Sequence, residues 1–210
     1  MKVFFDYGEL LFEYNFNEKT LSRAHNLALK HLNSLGLEIS LNELANAHNA
    51  AIHAYLTERQ SLVEWPMQKI MQELIKNLNI QNHNELTLNL ANIYKLNDHD
   101  SYPKQGIPEA IKELSEHSLN IISNLPHNSP LYELGRYHLL SKFDTITFSY
   151  EAGYRKPHPQ IYRFALKKAN ANLEDSIFLS HDKEEVHGAR NIGLKSCLVS
   201  TPSQILEAVK

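Results

Sequence analysis

The sequence contains one cysteine, Cys197, in 210 residues. An internal disulfide is therefore excluded, and the usage fits a reducing compartment. No apolar stretch approaches membrane-spanning length. Lys2-Val3-Phe4-Phe5 is followed at once by Asp6 and Glu9, so no signal peptide is expected and the chain reads as cytoplasmic. No long run of one charge sign occurs, and the formal net charge is −3. That balance argues against nucleic acid and anionic membranes as main partners. The 12 histidines form neither a His-x-x-x-His pair nor a Cys/His cluster, which assigns them to surface and packing roles rather than to zinc. A Ser-His-Asp elbow, a phosphate-cradling Gly-rich loop and internal repeats are also missing. What is present is 42% hydrophobic residues, enough for a sizeable core in a domain with an insertion.

The first such stretch is Val3-Phe4-Phe5, a short apolar run of the kind buried on both faces of a parallel sheet. Asp6 ends it, and Gly8 then permits a turn. Four more short runs end in polar residues: Leu119 to Ile122, Thr145 to Phe148, Ser176 to Leu179 and Ser196 to Val199. Helical stretches separate them, so the pattern predicts a parallel sheet with right-handed crossovers. Between the first and second runs lies a long helical block. Leu21, Ala24, Leu27, Ala28 and Leu32 open it at helical spacing. Ser40 with Glu43 forms a capping box before a second helix, Pro66 starts a third, and Leu86 to Tyr94 suggest a fourth. The block is too long for a crossover and reads as a separate domain. The expected division is 1–16 with 101–210 for an α/β core, and 17–100 for the helical block.

The strand ends carry a distinctive set of residues. Asp6 follows the first strand, and Ser123-Asn124 the second. Lys156 lies beyond the third, in Gly153-Tyr154-Arg155-Lys156-Pro157-His158-Pro159. Ser180 to Glu185 follow the fourth, ahead of Val186-His187-Gly188-Ala189. In a parallel sheet all of these fall along the edge where α/β folds bind ligands. Local structural roles compete with the functional ones. Ser123 is a plausible helix cap, Glu185 a first-turn acid stabilised by the helix dipole, and Asp182 an ordinary loop residue.

In these four motifs the chain resembles the haloacid dehalogenase (HAD) superfamily. The resemblance implies a Rossmann-like HAD core with a helical cap inserted after the first strand. It implies a hydrolase of small molecules with Asp6 as nucleophile, Lys156 as charge neutraliser and Glu185 positioning Lys156 or water. It also implies substrate contacts at Ser123, Asn124, Tyr7 and Ser180. Magnesium is the cofactor it suggests, on Asp6, Asp182 and Glu185.

Two departures bear on the reaction. Phosphatases of the superfamily carry a second Asp two residues after the nucleophile, where this chain has Gly8. They carry a metal-binding Asp where it has Ser180. An alkoxide leaving group then lacks a proton donor, with Glu9 a displaced substitute. A carboxylate attacking a phosphate dianion at about 4 Å meets roughly 8 kcal/mol of repulsion at an effective dielectric near 20. Metal-dependent phosphatase chemistry is therefore impaired. The dehalogenase branch needs neither metal nor leaving-group proton, and it resembles this chain at Ser180, Asp182 and Glu185. That branch carries a cap arginine, for which Arg23 and Arg59 are the only candidates in the helical block. A binding or regulatory protein that kept the fold after losing catalysis is the alternative from a different class.

Overall fold

The computed structural model describes residues 1–81 and 83–210. The chain divides into two compact units, Met1–Tyr14 with Ser101–Lys210, and Asn15–Asp100. In chain order the elements are β1 (Lys2–Phe5), β2 (Phe12–Asn15), α1 (Glu18–Ser34), α2 (Leu41–Glu58), α3 (Met67–Asn77) and α4 (Asn84–Asn97). They continue with β3 (Asp100–Pro103), α5 (Ile107–Glu113), β4 (Ser118–Ser123), α6 (Ser129–Arg136), β5 (Thr145–Phe148) and α7 (Ser149–Ala152). The last are α8 (Pro159–Lys168), β6 (Ser176–Ser180), α9 (Lys183–Asn191), β7 (Lys195–Leu198) and α10 (Pro202–Val209).

The fold is mixed α/β. The first unit is built on a five-stranded sheet in the order β5-β4-β1-β6-β7. All four pairings are parallel, and Phe5 faces Ile121 on one side and Leu179 on the other. β1 is thus the central strand, and Val3, Phe4 and Phe5 are fully buried. Their alternation serves two cores. Val3 and Phe5 pack with Ile107, Ile111 and Ile205 of α5 and α10, while Phe4 packs with Ile161, Tyr162 and Ala189 of α8 and α9. Each such side chain contributes roughly 1.5–3 kcal/mol by leaving water. Helices therefore cover both faces, and the carboxyl ends of β1, β4, β5 and β6 come together at one edge.

The sequence pattern gave no sign of β2 and β3, which pair as a two-stranded sheet. They are four residues each and more than eighty residues apart, so only the folded chain brings them together. α9 starts at Lys183, directly after the loop that follows β6.

The second unit is helical. Asn17 and Ser40 begin α1 and α2 with capping boxes. The Ser40 hydroxyl accepts from the Glu43 N–H at 3.2 Å, and the Glu43 carboxylate accepts from the Ser40 N–H at 2.8 Å. Ala24, Ala28, Leu44, Ala51, Ile70, Leu74 and Leu90 form its core. A polar pair lies inside. His25 Nε2 and His48 Nδ1 are 3.3 Å apart, and the His48 ring stacks on Tyr94 at 4.4 Å. Among the described residues no helix is long and apolar enough to cross a membrane.

Candidate active site

Asp6 sits one residue past β1, and its backbone N–H donates to Leu179 O at 2.8 Å. That bond fixes the carboxylate between the ends of β1 and β6. β5 runs into α7, which Gly153 ends in the left-handed region at φ 74°. The following loop delivers Lys156. Asn124, just past β4, holds that loop from both sides: its Oδ1 accepts from the Lys156 N–H at 2.7 Å, and its Nδ2 donates to Lys156 O at 3.1 Å. Gly188 of α9 presses on the next residue. A Cβ there would lie 2.6 Å from both Cβ and O of Pro157, so only glycine lets the helix approach this closely.

The Lys156 ammonium is fully buried and has three donors, each with a partner. Nζ donates to Asp6 Oδ1 at 2.5 Å and to Ile122 O at 2.8 Å, and lies 2.9 Å from Glu185 Oε2. Glu185 stands in the first turn of α9. Its Oε2 also accepts from Ser180 Oγ at 2.8 Å, and its Oε1 accepts from Asn124 Nδ2 at 3.1 Å. The Tyr162 hydroxyl donates to the Glu185 carbonyl at 2.7 Å. Asp6 Oδ2 lies 2.9 Å from Nδ1 of His181, in the loop between β6 and α9. Asp6 is thus held on one oxygen by an ammonium and on the other by an imidazole.

These contacts set the charges. Burial alone would raise the Asp6 pKa, but the Lys156 charge and the His181 hydrogen bond outweigh it and hold the carboxyl below its ordinary value. Burial works against the Lys156 ammonium, and the Asp6 and Glu185 carboxylates more than offset it, so its pKa is raised. Burial pushes Glu185 up despite Lys156. The hydrogen bond to Asp6 raises His181 against a smaller opposing effect of burial. Of the two acids sharing Lys156, Asp6 is the one favoured to stay ionised.

The structure brings Asp6, Lys156, Glu185, Asn124 and Ser180 into one connected network. Ser123, the last residue of β4, is buried beside it at 2% exposure. Asn124 and Ser180 direct their side chains at Lys156 and Glu185. Asp182 caps α9, its Oδ1 accepting from the N–H groups of Glu184 at 2.7 Å and Glu185 at 3.2 Å. Tyr7 lies in a separate cluster. Its ring stacks on Phe12 at 4.8 Å, and its hydroxyl and that of Tyr14 both donate to Glu133 Oε2, at 2.8 and 3.0 Å. Burial, with Tyr14 and Glu133 adding to it, drives the Tyr7 pKa far upward, so it stays a neutral donor.

Glu9 is exposed and left-handed at φ 59°. A Cβ at Gly8 would meet Tyr14 Cε2 at 3.4 Å, an ordinary contact. In the helical unit, Arg23 donates to Asn97 O, His99 O and Asp100, and Arg59 lies over the Tyr55 ring at 5.6 Å. His181 is the site residue that sequence reasoning left among scattered histidines. Its signal was position, since it directly follows the strand beside β1.

The arrangement does not fit a divalent cation. Magnesium takes near-octahedral oxygen ligands. Here one Asp6 oxygen is taken by the Lys156 ammonium and the other by the His181 ring, both Glu185 oxygens accept hydrogen bonds, and Asp182 is turned to the helix N-terminus. Ser180 supplies a neutral hydroxyl where a further charged ligand would be needed.

Comparison with known proteins identifies the family. The family profile described as "Haloacid dehalogenase-like hydrolase" matches residues 38–199. Glyceraldehyde 3-phosphate phosphatase of Methanothermobacter thermautotrophicus is 32% identical over 94 residues, covering 43% of this chain and 39% of that protein. The curated relatives are thus matched over less than half of their own length, between 19% and 39%. The crystal structure of 2-haloacid dehalogenase from Pseudomonas syringae pv. Tomato superposes with a TM-score of 0.70 at 14% identity, covering 99% of this chain and 97% of that one. A HAD phosphatase from Thermococcus onnurineus gives a TM-score of 0.54 at 17% identity, covering 93% and 85%. With a profile match over most of its length and a sheet and motif order that agree with it, the chain belongs to the haloacid dehalogenase-like hydrolase family.

Proposed function

We propose that this protein is a metal-independent hydrolase that displaces a leaving group from a small molecule by attack of Asp6, with halide on carbon as the leaving group. The observation that carries this reading is the paired hold on Asp6, Lys156 on one oxygen and His181 on the other. An ammonium and an imidazole stand where a carboxylate nucleophile otherwise relies on a metal to steady its charge. Lys156 already divides its charge between Asp6 and Glu185. An incoming phosphate dianion would meet little surplus positive charge, and the repulsion of about 8 kcal/mol would cost on the order of six decades in rate. A carbon electrophile with at most one negative charge meets no more than about half of that penalty. Halide leaves with the bonding electron pair and needs no proton, which suits Gly8.

In this reading an Asp6 oxygen bonds to the substrate carbon as the carbon–halogen bond breaks. Water then cleaves the resulting ester at the Asp6 carbonyl carbon. Ser123, at the end of β4, binds a substrate oxygen. Likeness to a haloacid dehalogenase and to phosphatases supports hydrolysis through this Asp. The test supplies alpha-bromopropionate or para-nitrophenyl phosphate, each with magnesium or with a chelator. Bromide release that ignores the chelator and vanishes in Asp6→Asn is expected. Nitrophenolate release that requires magnesium would contradict the reading. The second reading is a non-catalytic binding protein. It is favoured by Gly8 and by the closed hydrogen bonding around Glu185, and no turnover of either compound by the folded protein would select it.

A further inference from the structure

An ester on Asp6 does not hydrolyse quickly unless a base takes a proton from the attacking water. The second acid of the superfamily, two residues past the nucleophile, would serve, but Gly8 stands there. We propose that His181 is a catalytic residue, the general base that frees Asp6 from its ester. The inference rests on the reading of Asp6 as nucleophile and adds the group that completes the cycle.

Three observations support it. His181 Nδ1 lies 2.9 Å from Asp6 Oδ2, so it is within one water of the carbon that must be attacked. Its side chain is 36% exposed, whereas those of Asp6 and Lys156 are 6% and 0% exposed. Of the groups that touch Asp6, His181 is thus the one open to solvent. Finally, the neighbouring groups are unsuited. The Lys156 ammonium has no lone pair and holds three acceptors, and both Glu185 oxygens are hydrogen-bonded in a buried setting. The charged groups facing His181 are Asp6, Glu185 and Lys156, and of these Asp6 is in direct contact.

The cycle balances. At rest the Asp6 carboxylate and the His181 ring share one hydrogen bond. When Asp6 bonds to carbon, halide leaves with the electron pair of the broken bond, and the Asp6 charge is consumed. His181 loses its hydrogen-bonded anion and meets the attacking water as a neutral imidazole. Water then adds to the Asp6 carbonyl carbon. One of its protons passes to His181, the bond between the Asp6 carbonyl carbon and the ester oxygen breaks, and that departing oxygen takes up the water's other proton to leave as an alcohol. Asp6 is again a carboxylate, and His181 passes the proton it took to solvent. The sum is halide, alcohol and one proton from substrate and water.

The experiment uses the full chain, alpha-bromopropionate, and the variants His181→Gln, His181→Ala and Asp6→Asn, each first shown to melt as the wild type does. Bromide release is followed in time, and the intact protein mass reports the ester. His181→Gln should release one bromide per protein molecule and then slow by about 10²–10⁴-fold, with the ester accumulating on Asp6. Added imidazole should speed ester loss in His181→Ala, which a purely structural histidine would not permit. Ester decay in His181→Gln at the wild-type rate would overturn the proposal and leave Asp6 as nucleophile. A His181→Gln protein that releases no bromide, beside an active wild type, would overturn it too, since His181 would then act in the first step. Absence of bromide and ester in the wild type would overturn both readings.

Discussion

Replacing Lys156 by methionine should convert the most tightly held part of the site into its weakest. The change keeps the stem and removes the ammonium. Asp6 and Glu185 would then be two buried carboxylates brought together by a cation no longer there. Each attraction is worth roughly 6 kcal/mol gross at an effective dielectric near 20, most of it offsetting the desolvation of the ions. Removing one partner of such a buried cluster costs about 3–5 kcal/mol, because the remaining charges are uncompensated. A domain of ordinary stability, on the order of 5–15 kcal/mol, survives this loss, with its urea midpoint lowered by about 2 M for a slope near 2 kcal/mol per molar. The loss should depend on pH. Without the ammonium, both carboxyls would have folded-state pKa values above those of the unfolded chain. A raised acid destabilises the fold above its unfolded pKa, and the penalty shrinks as falling pH protonates it. Glu185, already pushed upward, should take the proton first. The deficit of Lys156→Met against wild type should therefore narrow from pH 7 to pH 5, and adding Glu185→Gln should recover part of it at pH 7. Urea unfolding of the three proteins measures this. A deficit below about 1 kcal/mol, the range of exposed ion pairs, would refute the reasoning.

Two further outcomes follow from the packing. Gly188→Ala drives a methyl group into the Pro157 backbone, so it should destabilise by about 1–3 kcal/mol and depress turnover through the Lys156 loop. Gly135→Ala, where a Cβ meets nothing within 4 Å, should do neither, and equal melting temperatures for both would contradict the packing argument. In the helical unit, burial, with a smaller push from His25, lowers His48 from 6.5 to about 4. Its unfolded form binds a proton first as pH falls, so its contribution is present above the unfolded value and drains away below it. Between about pH 7 and pH 5 wild type should lose roughly 2 kcal/mol more than His48→Gln, as read from urea unfolding. Parallel pH profiles for the two proteins would refute a buried, neutral His48.

The parts of the fold legible in the sequence were those set by local pattern. Val3 to Phe5 announced a strand buried on both faces, and Ser40 with Glu43 announced a helix start. β2 and β3 were not legible, because neither carries enough apolar alternation to declare itself without its distant partner. The candidate site divides in the same way. Asp6, Lys156 and Glu185 were marked by their places after strands, and the structure brings them within contact. The roles of Asn124 and Ser180 depend on which atoms their short side chains reach, and spacing along the chain does not carry that information. Asp182 did carry a signal, since an acid three residues before Glu185 at a helix start is a capping pattern. His181 was marked only by its place directly after a strand, beside Asp182, and its contact with Asp6 comes from β6 lying next to β1.

The central claim is that Asp6 forms and loses a covalent bond in each cycle. Oxygen isotope transfer tests it most directly. With protein in excess over alpha-bromopropionate in heavy-oxygen water, the ester oxygen leaves in the alcohol and the water oxygen stays on the protein. The account predicts heavy oxygen in the peptide containing Asp6, and an alcohol product that is unlabelled after the first turnover. Label found in the alcohol, with the Asp6 peptide unchanged, would mean that water attacks the substrate directly and would contradict the account.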